Sequence, residues 1–208
     1  MGRIAVIGVG PGSSEYLTPI AKKAVEKAEV VIGGKRQLLL FPDKKQTKVI
    51  GKDLDEVLKF IKKNRDKKIA VLTSGDPGFF SILGLILENF PKEEIEVIPG
   101  ISSMQLGFAK AKMAWHDAEF ISLHGRGTGE LLNKAKNHRK LAILTDEHMP
   151  PNSIAALLLD KGINDRAVAV CEGLSQPTER VVKSSLKDIS KESFSENCVM
   201  VIFDEMGL

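Results

Sequence analysis

The first half of the chain alternates between short apolar runs and longer segments that carry apolar residues at helical spacing. The apolar runs are predicted to be strands leading into glycine turns, at 3–8, 30–34, 68–77 and 95–103. The intervening segments are predicted to be helices, at 19–28, 53–64, 79–90 (largely buried) and 104–113. This alternation indicates βαβ units and a mainly parallel sheet, because each crossover helix returns the chain to the edge from which the previous strand started.

Residues 114–120 interrupt this pattern with the only tryptophan of the chain and a His-Asp pair. We place a domain boundary before them, which gives predicted domains at 1–113 and 114–208. In the second domain, strands are predicted at 119–126, 140–146, 167–173, 179–189 and 197–203, with helices near 128–138 and at 152–161. Its last two strands follow each other around a short helical turn, which favours a mixed sheet. The predicted fold class is α/β, with two α/β domains.

Composition narrows the function without naming it. The 208 residues are 43% hydrophobic and 27% charged, which is ordinary for a soluble globular protein. The net charge is only +3, and basic and acidic residues are interspersed, so no basic stripe indicates a nucleic-acid partner. No apolar run is long enough for a membrane span or a secretion signal. Cys171 and Cys198 lie in apolar strands without CxxC or zinc-like spacing, which predicts reduced core thiols, no metal and a cytoplasmic protein.

Three glycine-containing loops follow predicted strands: GVGPGSSEYLT (8–18), TSGDPGFFS (73–81) and IPGISS (98–103). Ligands of open α/β sheets bind at the carboxyl ends of the strands, and glycine lets the main chain approach a ligand closely. We therefore predict that the three loops converge on one small molecule. The alternative is that Asp76 and Ser102 only cap the helices that follow them.

The first loop differs from a dinucleotide-binding fingerprint. Ser13 stands where the third glycine would be, and Thr18-Pro19 predicts a helix that begins several residues later. The second strand ends in Gly33-Gly34-Lys35-Arg36, without an acid to bind a ribose. Since Lys35 and Arg36 would suit a 2′-phosphate, an NADP-dependent oxidoreductase remains an alternative of a different class.

In this order and at these distances, the three loop motifs resemble those of the tetrapyrrole (corrin/porphyrin) methylases, from Arg3 to about Phe203. The segments IGGKRQLLLF (32–41), AWHDAEFISLHGR (114–126) and CEGLSQPTERVV (171–182) resemble the branch that methylates C5 of cobalt-precorrin-7, or the N-terminal half of precorrin-6Y methylase. Uroporphyrinogen and other precorrin C-methyltransferases, and diphthine synthase, are the alternatives within the family.

The resemblance implies a homodimer of two-domain (class III) subunits, with S-adenosylmethionine in a cleft between the domains and S-adenosylhomocysteine as its product. Carried over by motif, the implied cofactor contacts are Val9, Gly10, Gly75, Asp76, Pro77, Gly78, Phe79, Ser102 and Ser103 in the first part of the chain. In the second part they are Thr145, Asp146, Gly173, Leu174, Ser175 and Gln176.

The implied substrate is a tetrapyrrole fringed with carboxylates, for which basic side chains are the expected partners. The candidates are Lys35, Arg36, Arg126 and Arg180. The alternative for Lys35 and Arg36 is an exposed turn after a strand, and for Arg180 a solvated position on a strand edge. His124 is a candidate acid or base, because histidine titrates near neutrality, or else a hydrogen-bonded structural residue. The stand-alone length favours the cobalt-containing route, in which a separate C15-methylating decarboxylase is a pathway neighbour and possible contact.

Overall fold

The computed structural model describes residues 4–44, 46–123, 128–195 and 197–204. The chain separates into two compact units, Met1–Ser102 and Ser103–Leu208. The segment 103–113, which the sequence assigns to the first domain, lies in the second unit. The domain boundary before residue 114 stays a prediction.

The first unit is built on a parallel sheet of five strands. They are β1 (Ile4–Gly8), β2 (Val30–Gly33), β3 (Thr47–Val49), β4 (Ile69–Thr73) and β5 (Ile95–Ile98). Their order in the sheet is β3-β2-β4-β1-β5, and every pairing between them is parallel. The predicted parallel sheet is therefore confirmed.

Helices cover both faces of this sheet. They are α1 (Pro19–Lys27), α2 (Lys35–Leu38), α3 (Leu54–Lys63) and α4 (Leu83–Asn89). One apolar cluster packs α3 and α4 on alternate strand residues, and a second packs α1 on the opposite face. The α1 helix begins as its sequence predicts: Thr18 Oγ1 accepts a hydrogen bond from the Ala21 amide at 3.3 Å, and Pro19 is the first helical residue.

The second unit has a mixed sheet, as predicted. Its strands are β6 (Glu119–Ser122), β7 (Lys140–Leu144), β8 (Ala167–Glu172), β9 (Arg180–Ser185) and β10 (Cys198–Phe203), in the order β6-β7-β10-β8-β9. Its helices are α5 (Ser103–Ala111), α6 (Leu131–Asn137), α7 (Pro151–Asp160) and α8 (Leu186–Ile189). The antiparallel strand β10 lies between β7 and β8, which consequently run in the same direction.

The two cysteines are free and buried, in agreement with the prediction of core thiols. Burial raises the pKa of each thiol to about 11. Cys171 pairs with Val199 in the ladder and Cys198 pairs with Glu172, so the two side chains leave the sheet on opposite faces. This geometry excludes a disulfide between them without movement of the backbone.

Two features of the first unit differ from the sequence prediction. The predicted helix 79–90 is shorter, since α4 begins at Leu83, and only Ile86 of its residues is buried. The preceding residues belong to the loop, where the Ser81 hydroxyl accepts a hydrogen bond from the Leu83 amide at 3.1 Å. The short elements α2 and β3 were not predicted, because three or four residues do not establish a hydrophobic period.

The chain has no helix, in the parts that the structure describes, with the length and apolar character of a bilayer span.

Candidate functional site

The order of the strands brings the three predicted glycine loops together in the first unit. Strand β1 lies between β4 and β5 and runs parallel to both. The carboxyl ends of these strands therefore share one edge of the sheet. The loops that begin after Gly8, Thr73 and Ile98 are neighbours at this edge, which we call the glycine edge.

Two of these loops are joined by a pair of main-chain hydrogen bonds. The Gly75 amide donates to the Gly10 carbonyl at 2.8 Å, and the Gly10 amide donates to the Gly75 carbonyl at 3.3 Å. Both residues have positive φ, +80° for Gly10 and +68° for Gly75. Glycine adopts this backbone without steric cost, so the residue type follows from the geometry of the bridge.

The main chain of the third loop lies directly against that of the other two. A Cβ on Gly8 would lie 2.5 Å from the Gly75 carbonyl oxygen and 2.6 Å from the Gly100 nitrogen. A Cβ on Gly100 would lie 2.3 Å from the same carbonyl oxygen. No side chain fits at either position unless the backbone shifts, so the glycine edge is assembled from backbone contacts.

Asp76 links two of the loops. Its Oδ1 accepts a hydrogen bond from the Gly78 amide at 2.8 Å, and its Oδ2 accepts one from the Gly100 amide at 3.1 Å. The alternative that Asp76 caps the following helix is wrong, because α4 begins after Ile82 and has no side-chain cap. The carboxylate instead holds the second and third loops at a fixed separation.

The structure places the other first-unit candidates at or beside the glycine edge. Val9 is buried and its amide donates to the Thr73 carbonyl at 3.0 Å. Pro77 and Ser102 are buried as well. Phe79 makes an edge-to-face contact with Phe80, with ring centroids 4.6 Å apart. A role for these residues in cofactor binding stays a prediction.

The first loop does not lead directly into a helix. A 3₁₀ turn at Ser14–Tyr16 follows it, and the Ser13 hydroxyl accepts a hydrogen bond from the Glu15 amide at 3.3 Å. Because α1 begins only at Pro19, its N-terminus does not directly follow the glycines. This geometry differs from that of a dinucleotide fingerprint, in which the helix starts at the glycine turn and its amides bind the pyrophosphate.

The basic pair lies at the same sheet edge as the loops. Lys35 and Arg36 directly follow the carboxyl end of β2, the strand that neighbours β4, and both side chains are exposed. Neither has an ion-pair partner among the residues that the structure describes. The predicted candidates His124 and Arg126 fall outside the described residues.

In the second unit, the remaining cofactor candidates also share one edge of a sheet. Strands β7 and β8 run in the same direction, so the residues after both lie at one edge, with the start of β10 between them. Thr145 and Asp146 are buried there. Thr145 Oγ1 accepts from the Cys198 amide at 2.8 Å, and Asp146 Oδ1 accepts from the Met149 amide at 2.9 Å. These contacts fix the turn after β7.

The loop 173–179, hereafter the hairpin loop, connects β8 to β9 at that same edge. The Gln176 amide donates to the Gly173 carbonyl at 2.9 Å, which forms a tight turn. Gly173 and Ser175 have positive φ, +58° and +66°. Ser175 is the less usual of the two, because residues with a Cβ rarely adopt this conformation.

Arg180, predicted to contact the substrate, has partners within its own unit. Its Nε donates to Glu172 Oε2 at 2.9 Å, and its guanidinium carbon lies 5.1 Å from the centre of the Phe194 ring. These contacts close the base of the hairpin loop. Substrate binding by Arg180 stays a prediction.

Sequence reasoning missed several residues that shape these two edges. Gly8 and Gly100 lie inside the quoted motifs but were not singled out, and Phe80, exposed and at φ +50°, was passed over for Phe79. Lys110 and Glu179 were also missed, although they form an ion pair of 2.5 Å. A signal existed only for the glycines, since a glycine that recurs after successive parallel strands indicates close backbone approach.

A family model, two related sequences and a solved structure that are similar to this chain all belong to tetrapyrrole or precorrin methylases. A family model described as Tetrapyrrole (Corrin/Porphyrin) Methylases matches residues 3–190. The chain is 42% identical to the probable cobalt-precorrin-7 C(5)-methyltransferase of Methanocaldococcus jannaschii, over 95% of this chain and 96% of that protein. It is 34% identical to the cobalt-precorrin-7 C(5)-methyltransferase of Salmonella typhimurium, over 97% of this chain and 99% of that protein. The crystal structure of a precorrin-6Y methylase from Archaeoglobus fulgidus matches with a TM-score of 0.75 and 26% identity, covering 98% of each chain.

Proposed function

The chain belongs to the tetrapyrrole (corrin/porphyrin) methylases, and on that premise we propose that it transfers a methyl group from S-adenosylmethionine to C5 of cobalt-precorrin-7. The observation that carries the proposal is the meeting of the three glycine loops at one sheet edge. Near-full-length similarity to two proteins named for this reaction supports the choice of ring position and substrate.

The glycine edge is the proposed site for the nucleoside and the amino-acid tail of the methyl donor. A Cβ at Gly8 or Gly100 would overlap the backbone of the neighbouring loops, so these glycines allow the three loops to meet, and this meeting supports a donor site formed by main-chain groups. The groups proposed to hold the donor are the loop after β1 at Val9 and Gly10, the loop 75–79 after β4, and Ser102. Thr145, Asp146 and the loop residues 173–176 are proposed as the contribution of the second unit.

The main task of the protein in this reaction is to position the methyl donor and the tetrapyrrole relative to each other. When bound, S-adenosylmethionine supplies a methyl group on a positively charged sulfur, and the electron pair of the broken C–S bond stays on that sulfur. The new C–C bond uses an electron pair of the conjugated ring, so the protein needs no nucleophilic side chain. The rigid, backbone-linked loops would hold the donor while the basic pair orients the ring, so that the attacking carbon lies behind the methyl group.

The test of the proposal is mass spectrometry of cobalt-precorrin-7 incubated with the protein and isotope-labelled S-adenosylmethionine. We expect a mass increase of one labelled methyl group, with the label assigned to C5 by carbon NMR. Labelling of uroporphyrinogen III or of another ring carbon instead would move the assignment to a different methylase of the family. No transfer to any tetrapyrrole would overturn it.

Calorimetric titration separates this function from an NADP-dependent oxidoreductase. We expect S-adenosylhomocysteine to bind with one site per chain and NADPH not to bind at the same protein concentration. The converse result would favour the oxidoreductase, since the basic pair after β2 would then serve a 2′-phosphate.

Lys35 and Arg36 are proposed to pair with carboxylates at the rim of the tetrapyrrole. Replacing both by methionine is expected to raise the KM for the tetrapyrrole about tenfold, because each exposed ion pair contributes up to about 1 kcal/mol. The KM for S-adenosylmethionine should stay unchanged. Steady-state kinetics with each substrate varied in turn measures both.

The matched control is the exposed pair Lys62 and Lys63 at the carboxyl end of α3, changed to methionine in the same way. It removes the same number of charges without affecting the carboxyl end of β2. If both double variants raise the tetrapyrrole KM equally, the effect is one of net charge and the assigned role of Lys35 and Arg36 is wrong.

The proposed assembly is a cytoplasmic homodimer, with the C15-methylating decarboxylase as a pathway contact. The family resemblance supports this proposed assembly. Light scattering of the purified protein would measure its oligomeric state.

A further inference from the structure

The hairpin loop is held in a conformation that its own sequence disfavours. Ser175 has a φ of +66° although it has a Cβ, and Gly173, two residues earlier, also has a positive φ, of +58°. Such backbone persists where surrounding contacts determine it. The two ends of the loop are fixed by the ladder pair Glu172 and Arg180, whose side chains are also hydrogen-bonded at 2.9 Å. These contacts at the ends of the loop do not involve Ser175, which lies three residues after Glu172 and five before Arg180.

One side chain reaches across the loop to that residue. Glu179 Oε2 accepts a hydrogen bond from the Ser175 amide at 2.8 Å. Its other oxygen, Oε1, lies 2.5 Å from the ammonium nitrogen of Lys110 on α5. The Glu179 side chain is only 20% exposed. One carboxylate thus ties the middle of the loop to a helix that packs on β8, β9 and β10 of the same unit.

The charge state of Glu179 suits this arrangement. The hydrogen bond from Lys110, followed by that from the Ser175 amide, lowers the pKa of the carboxyl group below its usual value. The carboxylate is therefore ionised at neutral pH, and each of its oxygens has a donor. A charged acceptor binds a backbone amide more strongly than a neutral one does.

We propose that Lys110 and Glu179 are positioning residues for the methyl donor: they hold residues 173–176 in the backbone conformation that receives the cofactor. This inference rests on the proposed function, since it assigns a purpose to a loop that is itself a proposed cofactor contact. It predicts that the pair affects binding of the donor, and affects neither the binding of the tetrapyrrole nor the chemical step.

The experiment is a graded series of variants titrated with S-adenosylhomocysteine by calorimetry. Glu179→Gln and Lys110→Met each remove the ion pair but leave an acceptor for the Ser175 amide at position 179. Each variant is therefore expected to weaken binding about two- to fivefold. Glu179→Ala removes both contacts and is expected to weaken binding about 10- to 100-fold. The double variant Lys110→Met/Glu179→Gln should bind no more weakly than either single variant, because both remove one interaction.

Two further readouts separate positioning from general stability. In the free protein, hydrogen exchange at the Ser175 amide should be faster in Glu179→Ala than in Glu179→Gln. In steady-state kinetics, the KM for S-adenosylmethionine should rise while kcat and the tetrapyrrole KM stay within about twofold of the parent values.

The matched control is Glu119→Gln, which removes an ion pair between a glutamate and Lys134 in the same unit. Glu119 begins β6, at the sheet edge opposite the hairpin loop. It should bind S-adenosylhomocysteine as the parent protein does.

Unchanged affinity in Glu179→Ala would overturn the inference, and so would a loss of affinity in Glu119→Gln equal to that in Glu179→Gln. Hydrogen exchange at Ser175 could respond to the variants while the parent protein fails to bind S-adenosylhomocysteine. In that case Glu179 does hold the loop, but the proposed role of the loop in donor binding is wrong, and so is the proposed function.

Discussion

Replacing Gly100 by alanine is expected to weaken binding of the methyl donor about 100-fold while leaving the protein folded. The new Cβ would lie 2.3 Å from the Gly75 carbonyl oxygen and 2.7 Å from the Gly8 carbonyl carbon, so the loop after β5 has to move away from the end of β1 and from the loop after β4. A displacement of about 1 Å in a positioned site costs on the order of 100-fold in activity. The strain of overpacking costs about 1–3 kcal/mol, which a stable domain tolerates.

Calorimetry with S-adenosylhomocysteine and thermal melting followed by circular dichroism measure the two parts of this prediction. The matched control is Gly51→Ala, because a Cβ there has no neighbouring atom within 4 Å and Gly51 does not have positive φ. We expect the control to bind and melt as the parent protein does. Parent-like affinity in the Gly100 variant would mean that the glycine edge is not the donor site.

Replacing Asp76 by asparagine is expected to weaken donor binding at least tenfold. The carboxylate accepts two amide hydrogen bonds on different oxygens, from Gly78 at 2.8 Å and from Gly100 at 3.1 Å. Asparagine has one acceptor oxygen, and its NH₂ group would face the second amide. A hydrogen bond to a charged group contributes about 1.5–3 kcal/mol, so losing one that sets the spacing of the loops corresponds to at least a tenfold effect.

Asp53 provides the control for Asp76. Its carboxylate also accepts two amide hydrogen bonds, from Asp55 at 2.9 Å and Glu56 at 3.2 Å, but it does so at the start of α3. Asparagine caps helices about as well as aspartate, so Asp53→Asn should change neither stability nor binding noticeably. Equal binding by Asp76→Asn and the parent protein would show that the link between the second and third loops does not matter for the donor.

Both predictions follow from a site made largely of backbone. Gly8, Gly10, Gly75 and Gly100 have no side chain that would keep the loops apart, and Asp76 joins two of the loops by accepting hydrogen bonds from their amides. We therefore expect substitutions to act through the spacing of the loops, and a loss of affinity for S-adenosylhomocysteine to be the first sign of damage.

Two contacts that shape the candidate site could not be predicted from the sequence: the Asp76–Gly100 hydrogen bond and the Lys110–Glu179 ion pair. Asp76 and Gly100, and likewise Lys110 and Glu179, are far apart in sequence and ordinary in type. Only packing brings each pair within hydrogen-bonding distance. A short element such as β3 escaped prediction for a related reason, since it gains its stability from pairing with β2 rather than from its own pattern.

The sequence by itself determined the alternation of strands and helices, the start of α1 at Thr18-Pro19, the glycine loops after successive strands, and the family. These features depend on local sterics and on hydrophobic period, which neighbouring residues set. Only the tertiary structure decided that β1 lies between β4 and β5 and that β10 separates β7 from β8. Strand order depends on the packing of segments distant in the chain, and that order brings the three loops to one edge of the sheet, where they form the candidate site.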